Sequence, residues 1–194
     1  MGKIAVVLTE GYADWECAYL NGAGRTFYGL DTVAVTPEGR AVVSMGGLMT
    51  LPADPLGLVS PQMHDMLVLC GGTGWDDNEF SEVIAAARQF LEIGKPVAAI
   101  CGATLGLARG GLLNDRAHTS NSLDYLKSNA PSYAGDRHYR DGPGAVVDGN
   151  LITAPGSSPA HFTAEIFRAA GVPAPKIIEF LGMLGAEHKL QSAA

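Results

Sequence analysis

Short apolar runs recur along this chain, each followed by a stretch whose apolar positions return every three or four residues. "KIAVVLT" (3–9), "TVAVT" (32–36), "MLVLCGG" (66–72) and "VAAI" (97–100) are continuous rather than alternating. That is the pattern of short strands buried on both faces. Between them, "DWECAYLNGAGRTFYGL" (14–30) predicts a helix that stops at Gly29. "NEFSEVIAAARQFLEIGKP" (78–96) gives the clearest helical signal: Phe80, Val83, Ile84, Ala87, Phe90 and Leu91 fall on one face, and Gly94 and Pro96 close it. "TLGLARGGLL" (104–113), "SPAHFTAEIFRAAG" (158–171) and "APKIIEFLGMLG" (174–185) predict three more helices. Residues 42–60, broken by Gly46-Gly47, Pro52 and Pro55, read as a small hairpin and an irregular connection. "AVVDGNLITA" (145–154) reads as a hairpin around Asp148-Gly149, and 129–144 as a mobile polar loop.

Strands alternating with helices predict an α/β three-layer sandwich, a mainly parallel sheet with helices on both faces, flavodoxin-like. The 194 residues are expected to form one domain, 1–194. A hydrophobic content of 47% against 17% charged residues supports a packed core. The net charge of −7 argues against a nucleic-acid partner, and no Lys/Arg run suggests a membrane surface. No stretch has the length of a signal peptide's apolar segment or of a membrane span. Three cysteines, an odd number without close spacing, point to a reducing, cytoplasmic setting. His64, His138 and His188 are scattered without zinc spacing, so no metal and no cofactor is expected.

In parallel sheets, ligands bind beyond the carboxyl ends of the strands. Glu10 to Cys17, Cys70 to Gly74 and Cys101 to Thr104 all reach that edge. Cys101 lies between a strand and a helix, with Ala99 and Ala103 two residues to either side and Gly102 directly after it. Small residues make room for the sharp, strained turn of a nucleophile elbow. The helix that follows aims its partial positive charge at the sulfur, which favours the thiolate. An ordinary buried cysteine at a strand end is the plain alternative. Cys17 and Cys70 read as inert buried thiols, with a resolving thiol near Cys101 as the alternative, and Trp15, Tyr12 and Trp75 as walls of an apolar pocket, with plain packing as the alternative. Ser157 or Ser158 reads as a helix cap.

"AAICGATLGLARGGLLNDRAHTS", preceded by "LVLCGGTGW" and by "GYADWE", resembles the ThiJ/PfpI superfamily, which has the class I glutamine amidotransferase-like fold. "HTSNSLDYLKSNAPSY" looks most like its bacterial amidotransferase-like or stress-protein members. The resemblance makes Cys101 the reactive cysteine and Glu16 the acidic residue that contacts it. It makes the backbone of Gly71, Gly72 and Gly102 an oxyanion hole. Protease-like members place a histidine directly after the cysteine, where Gly102 stands, which disfavours peptidase chemistry. True amidotransferases supply a His-x-Glu pair, whereas His161 and Glu165 are four residues apart. Other members place a histidine beyond the elbow helix. The position aligned with it is Ser120 in the strand-like "RAHTSN", and His118, two residues earlier on the same strand face, stands as the alternative.

The resemblance therefore implies a hydrolase or lyase that uses Cys101, Glu16 and His118 on a small electrophilic substrate, with carbonyl, amide and isocyanide-like groups as candidates. It also implies a homodimer. Two other readings stand beside this one: a redox-responsive stress protein whose cysteine oxidation is the function, and a non-catalytic chaperone-like or binding module.

Overall fold

The computed structural model describes residues 2–78 and 80–188. In chain order the elements are β1 (Lys3–Val7), α1 (Asp14–Tyr19), α2 (Arg25–Tyr28), β2 (Asp31–Thr36), β3 (Val42–Val43), β4 (Met49–Thr50), β5 (Asp54–Pro55), β6 (Met66–Leu69), α3 (Gly74–Asp77) and α4 (Ser81–Glu92). They continue with β7 (Val97–Ile100), α5 (Gly102–Arg109), α6 (Leu123–Asn129), β8 (Val146–Asp148), β9 (Leu151–Ala154), α7 (Pro159–Ala169) and α8 (Ala174–His188). The main sheet has the order β5-β2-β1-β6-β7-β9-β8, and only the β8–β9 pairing is antiparallel.

Period-two alternation along these strands divides the core in two. Ala5, Val7, Leu67, Leu69, Val97 and Ala99 face one layer, where Trp75, Phe90, Leu105 and Leu107 of α3, α4 and α5 meet them. Ile4, Val6, Met66, Val68, Ala98 and Ile100 face the other, against Cys17, Phe162, Phe167 and Phe180 of α1, α7 and α8. Because both faces are covered, the strands have no polar side, which is why they read as continuous apolar runs. The expected three-layer α/β architecture is the observed one.

Several local expectations need correction. The helix predicted over 14–30 is interrupted: Leu20–Gly24 takes the wider π-helical form between α1 and α2. Gly22 and Gly24 supply little helix propensity there, and the looser turn absorbs the change. The stop at Gly29 holds, with that residue left-handed at φ 65°. The helix predicted from Asn78 starts at Ser81 instead, because Phe80 adopts φ 43° and breaks it from α3. "RAHTSN" is not a strand, and its one ladder contact is the isolated bridge between His118 and Tyr139. Helix α6, unforeseen, is capped by Ser122, whose Oγ accepts the Tyr125 N–H at 3.0 Å. The polar stretch that follows contains a 3₁₀ turn at Asp136–His138. Among the described residues, no helix is long and apolar enough to cross a membrane.

Candidate active site

β6 and β7 run side by side, with Leu69 opposite Ala99, and end at the same edge of the sheet. Beyond β7 the chain turns so sharply that Cys101 sits at φ 56° and ψ −125°, and α5 begins at the next residue. A left-handed φ in a side chain with a Cβ is strained and persists only where its surroundings impose it. Here Cys101 N–H is held by the Ala154 carbonyl at 3.0 Å, while its own carbonyl receives the Thr104 hydroxyl at 2.6 Å. Ala99 and Ala103 are completely buried around the turn, and Gly102 is buried between them. A Cβ on Gly102 would lie 2.6 Å from the Gly72 carbonyl and 3.1 Å from Trp75 Cβ. The small residues are thus a steric requirement of the turn.

Glu16, in the first turn of α1, is fully buried. Its Oε2 accepts the Gly71 N–H at 2.8 Å. Its Oε1 has no hydrogen-bond partner among the described residues. That orphan oxygen and the Cys101 sulfur flank one point: a Cβ on Gly156 would lie 2.9 Å from Sγ and 3.0 Å from Oε1. Gly71 is equally confined, since a Cβ there would overlap Glu16 Oε2 and lie 2.6 Å from Cys101 Cβ.

The sulfur is half-buried and has two neutral donors, the Asn121 amide at 3.3 Å and the Gly102 N–H. Burial pushes the Glu16 carboxyl up to about 7. Burial first, and then the negative charge of an ionised Glu16, push the Cys101 thiol up to about 11, against the pull of Asn121 and Gly102. The two groups repel each other's charge, so they titrate as a pair that gives up one proton near neutrality and resists losing the second. Burial thereby opposes the depressed thiol that the elbow alone would suggest.

The remaining expected residues fall out unevenly. The structure does not bring His118 to the sulfur. Its ring is buried, with Nδ1 on the Arg116 carbonyl at 2.7 Å and Nε2 on the Tyr133 hydroxyl at 2.7 Å. Burial lowers its pKa, as expected for a neutral packed imidazole. Ser120 turns to Thr104, hydroxyl to hydroxyl at 2.7 Å. Gly71 is spoken for as a donor, because its N–H serves Glu16. Gly72, at φ 143°, lies in the bridge to Tyr12, and the Gly102 N–H, next in the chain to Cys101, pulls the thiol's pKa down.

Trp75 is core, its indole N–H on the Cys70 carbonyl at 2.9 Å, and Tyr12 is buried with its hydroxyl on Thr50 at 2.8 Å. Trp15 alone of the three stands at the rim, 49% exposed, donating to the Gly156 carbonyl at 3.3 Å. Ser158 occupies the cap position of α7, yet its hydroxyl donates to the Pro143 carbonyl rather than capping.

Asn121 and Gly156 are the residues that sequence reasoning missed. Asn121 Oδ1 accepts the Gly156 N–H at 3.0 Å while Nδ2 donates to the sulfur. A cavity of about 590 Å³ lined by Asp76, Arg109 and Gly106 lies along α5 and includes none of Cys101, Glu16 and Asn121.

A parallel sheet covered on both sides, with a strained half-buried cysteine between strand and helix and a carboxyl beside it, defines a cysteine-elbow α/β protein. The chain belongs to the DJ-1/PfpI family, which it matches over residues 2–169. It is similar to a DJ-1 superfamily protein of known structure from Agrobacterium tumefaciens, with 39% identity and a TM-score of 0.91 over 97% of this chain and 100% of that one. It resembles the structure of Drosophila melanogaster DJ-1beta at 26% identity and a TM-score of 0.75, covering 94% of this chain and 96% of that one. Among curated proteins it is 37% identical over 180 residues, 89% of this chain and 85% of the relative, to an uncharacterized protease of Bacillus subtilis, YoaZ.

Proposed function

We propose that the protein is a cysteine-dependent hydrolase or lyase in which Cys101 attacks the electrophilic carbon of a small carbonyl-type substrate and Glu16 carries the proton. The observation that carries this reading is the orphan Glu16 Oε1 beside the sulfur. A fully buried carboxylate oxygen without a donor is costly. A proton on Oε1, donated to sulfur, removes that cost and leaves Oε2 on Gly71. Taken group by group, the pKa directions put the first negative charge on Glu16. The count of donors argues for sulfur instead: the proton shared by the pair serves whichever group is charged, and beyond it the sulfur has Asn121 and Gly102 where the carboxylate has the Gly71 N–H.

In the proposed step the thiolate adds to the carbon, and the proton held by the Glu16–Cys101 pair goes to the substrate's oxygen. With no imidazole hydrogen-bonded to the sulfur among the described residues, expulsion of an amine leaving group has no cationic acid to assist it, so peptide hydrolysis is disfavoured despite the names of the Bacillus relatives. The reading extends to a cytoplasmic homodimer, since family members are commonly dimeric and the three thiols are free. Light scattering at micromolar concentration tests the dimer.

A panel of small carbonyl, amide and isocyanide substrates, run on wild type and Cys101→Ser, tests the activity. Any true turnover should fall by about 1000-fold or more in the variant, as when a nucleophile is removed. Turnover that survives Cys101→Ser would place the chemistry elsewhere. Selective oxidation of Cys101 by peroxide, with no turnover on any substrate, would favour the redox-responsive role.

A further inference from the structure

Asn121 stands at the sulfur in an orientation that its surroundings fix. A backbone N–H can only donate, so the atom facing Gly156 N–H must be the amide oxygen. The nitrogen is thereby turned to Cys101 Sγ, 3.3 Å away. An Asn amide carries two hydrogens, and among the described residues Nδ2 has only the sulfur as partner. Asn121 is exposed, so its second N–H is open to solvent or to a bound molecule beside the sulfur. Gly71, which would otherwise be an oxyanion donor, is committed to Glu16.

We propose that Asn121 is a catalytic residue that supplies the side-chain donor of the oxyanion hole, holding the negative charge first on the sulfur and then on the substrate's oxygen. The inference rests on the carbonyl-addition reading above. When the thiolate adds to a carbonyl carbon, its electron pair forms the C–S bond and the carbonyl π pair moves to oxygen. The charge leaves the sulfur for an oxygen bonded to the same carbon. A donor already on the sulfur, with a second hydrogen beside it, follows that charge without moving its backbone. Gly156 supplies the rigidity: its N–H anchors Oδ1, and its missing Cβ leaves room for Sγ. A neutral amide does this at any pH, unlike an imidazole, so the site's pH response belongs to the Glu16–Cys101 pair.

The test separates adduct charge from thiol reactivity. A trifluoromethyl ketone adds to a thiolate to give an adduct that carries its charge on oxygen, and it protects the thiol from iodoacetamide. Alkylation by iodoacetamide itself creates no oxyanion. Protection is measured for wild type, Asn121→Asp and Asn121→Ala, with each alkylation rate corrected for the fraction of thiolate. Asn121→Asp keeps the acceptor for Gly156 N–H and loses the donor; Asn121→Ala is neutral.

Both variants should need about 100-fold more ketone for equal protection, in line with the loss of one oxyanion donor. Their corrected alkylation rates should stay within about threefold of wild type, well below that oxyanion effect. Equal protection in all three proteins, or a loss confined to Asn121→Asp, would overturn the role of Asn121. A wild type that the ketone does not protect at all would overturn the carbonyl-addition reading itself.

Discussion

Two thiols stand at neighbouring strand ends, and they share almost nothing chemically. Cys70 follows β6 and Cys101 follows β7, and each precedes a glycine; residues 71–73 separate Cys70 from α3, whereas α5 begins at Gly102, directly after Cys101. Cys70 is fully buried with its sulfur donating to the Ala13 carbonyl at 3.5 Å. The neighbouring Cys17 thiol, and then burial, push Cys70 well above the ordinary thiol range. Cys101 is turned out by a positive φ, reaches solvent and receives donors from Asn121 and Gly102. A cysteine at a strand end is therefore not enough. In the reading proposed here, what sets Cys101 apart is the backbone strain that lifts its side chain from the core, and the donors that meet it there.

The carboxyl that serves only one of these thiols should dominate the pH response of the fold. Glu16 is raised from an ordinary 4.5 to about 7, so the folded protein keeps a proton that the unfolded chain has lost. Its contribution is fully present below about pH 4.5 and is lost as pH rises through about 7. Between those limits wild type should lose on the order of 3 kcal/mol that Glu16→Gln does not lose. Urea unfolding at pH 5 and pH 8 measures it, and parallel slopes for the two proteins would mean that Glu16 is an ordinary ionised carboxylate.

Gly71 joins the two corners, since it follows Cys70 and abuts Cys101. Gly71→Ala should destabilise by about 1–3 kcal/mol, because backbone and carboxyl must shift to admit a methyl group. It should also lower the reactivity of Cys101 while leaving Cys70 silent, which thermal melts and thiol assays on the same samples will resolve. The smallest expected effect is in labelling. Brief iodoacetamide treatment at neutral pH should modify Cys101 roughly tenfold or more ahead of Cys17 and Cys70, as exposure and donor environment dictate. Peptide mapping that finds Cys17 or Cys70 first would erase the contrast between the corners.

Much of this was legible in the chain. Apolar runs without alternation gave the doubly covered sheet, and Ala99, Gly102 and Ala103 gave the elbow, because both are steric demands that residue size expresses directly. Glu16 came from its likeness to a family motif, and the structure places it beside the sulfur. His118 misled because face alternation applies only where a strand exists, and residues 116–121 form just one bridge. Off a ladder, the chain rotates freely between residues, and Asn121 rather than Ser120 or His118 turns to Cys101. Asn121 carries no local signal of its own. Its role depends on Gly156, 35 residues away, and such pairings appear only once β9 and α7 are in place. The Ser122 cap starts α6, but in the sequence it stands among polar neighbours that give the helix little apolar periodicity.

Where the first negative charge of the Glu16–Cys101 pair resides decides the chemistry, and thiolate absorbance against pH reads it directly in wild type, Glu16→Gln and Glu16→Leu, with Cys101→Ser as the blank. If Glu16 keeps the proton and donates it to sulfur, the wild-type thiolate signal rises near pH 7. Glu16→Gln then leaves that step near its place, since an amide also donates. Glu16→Leu moves it upward by roughly one to two pH units, the worth of one hydrogen bond to a charged group. A wild-type signal that appears only near pH 11, and that moves downward in both variants, would show the charge on the carboxylate and contradict this assignment.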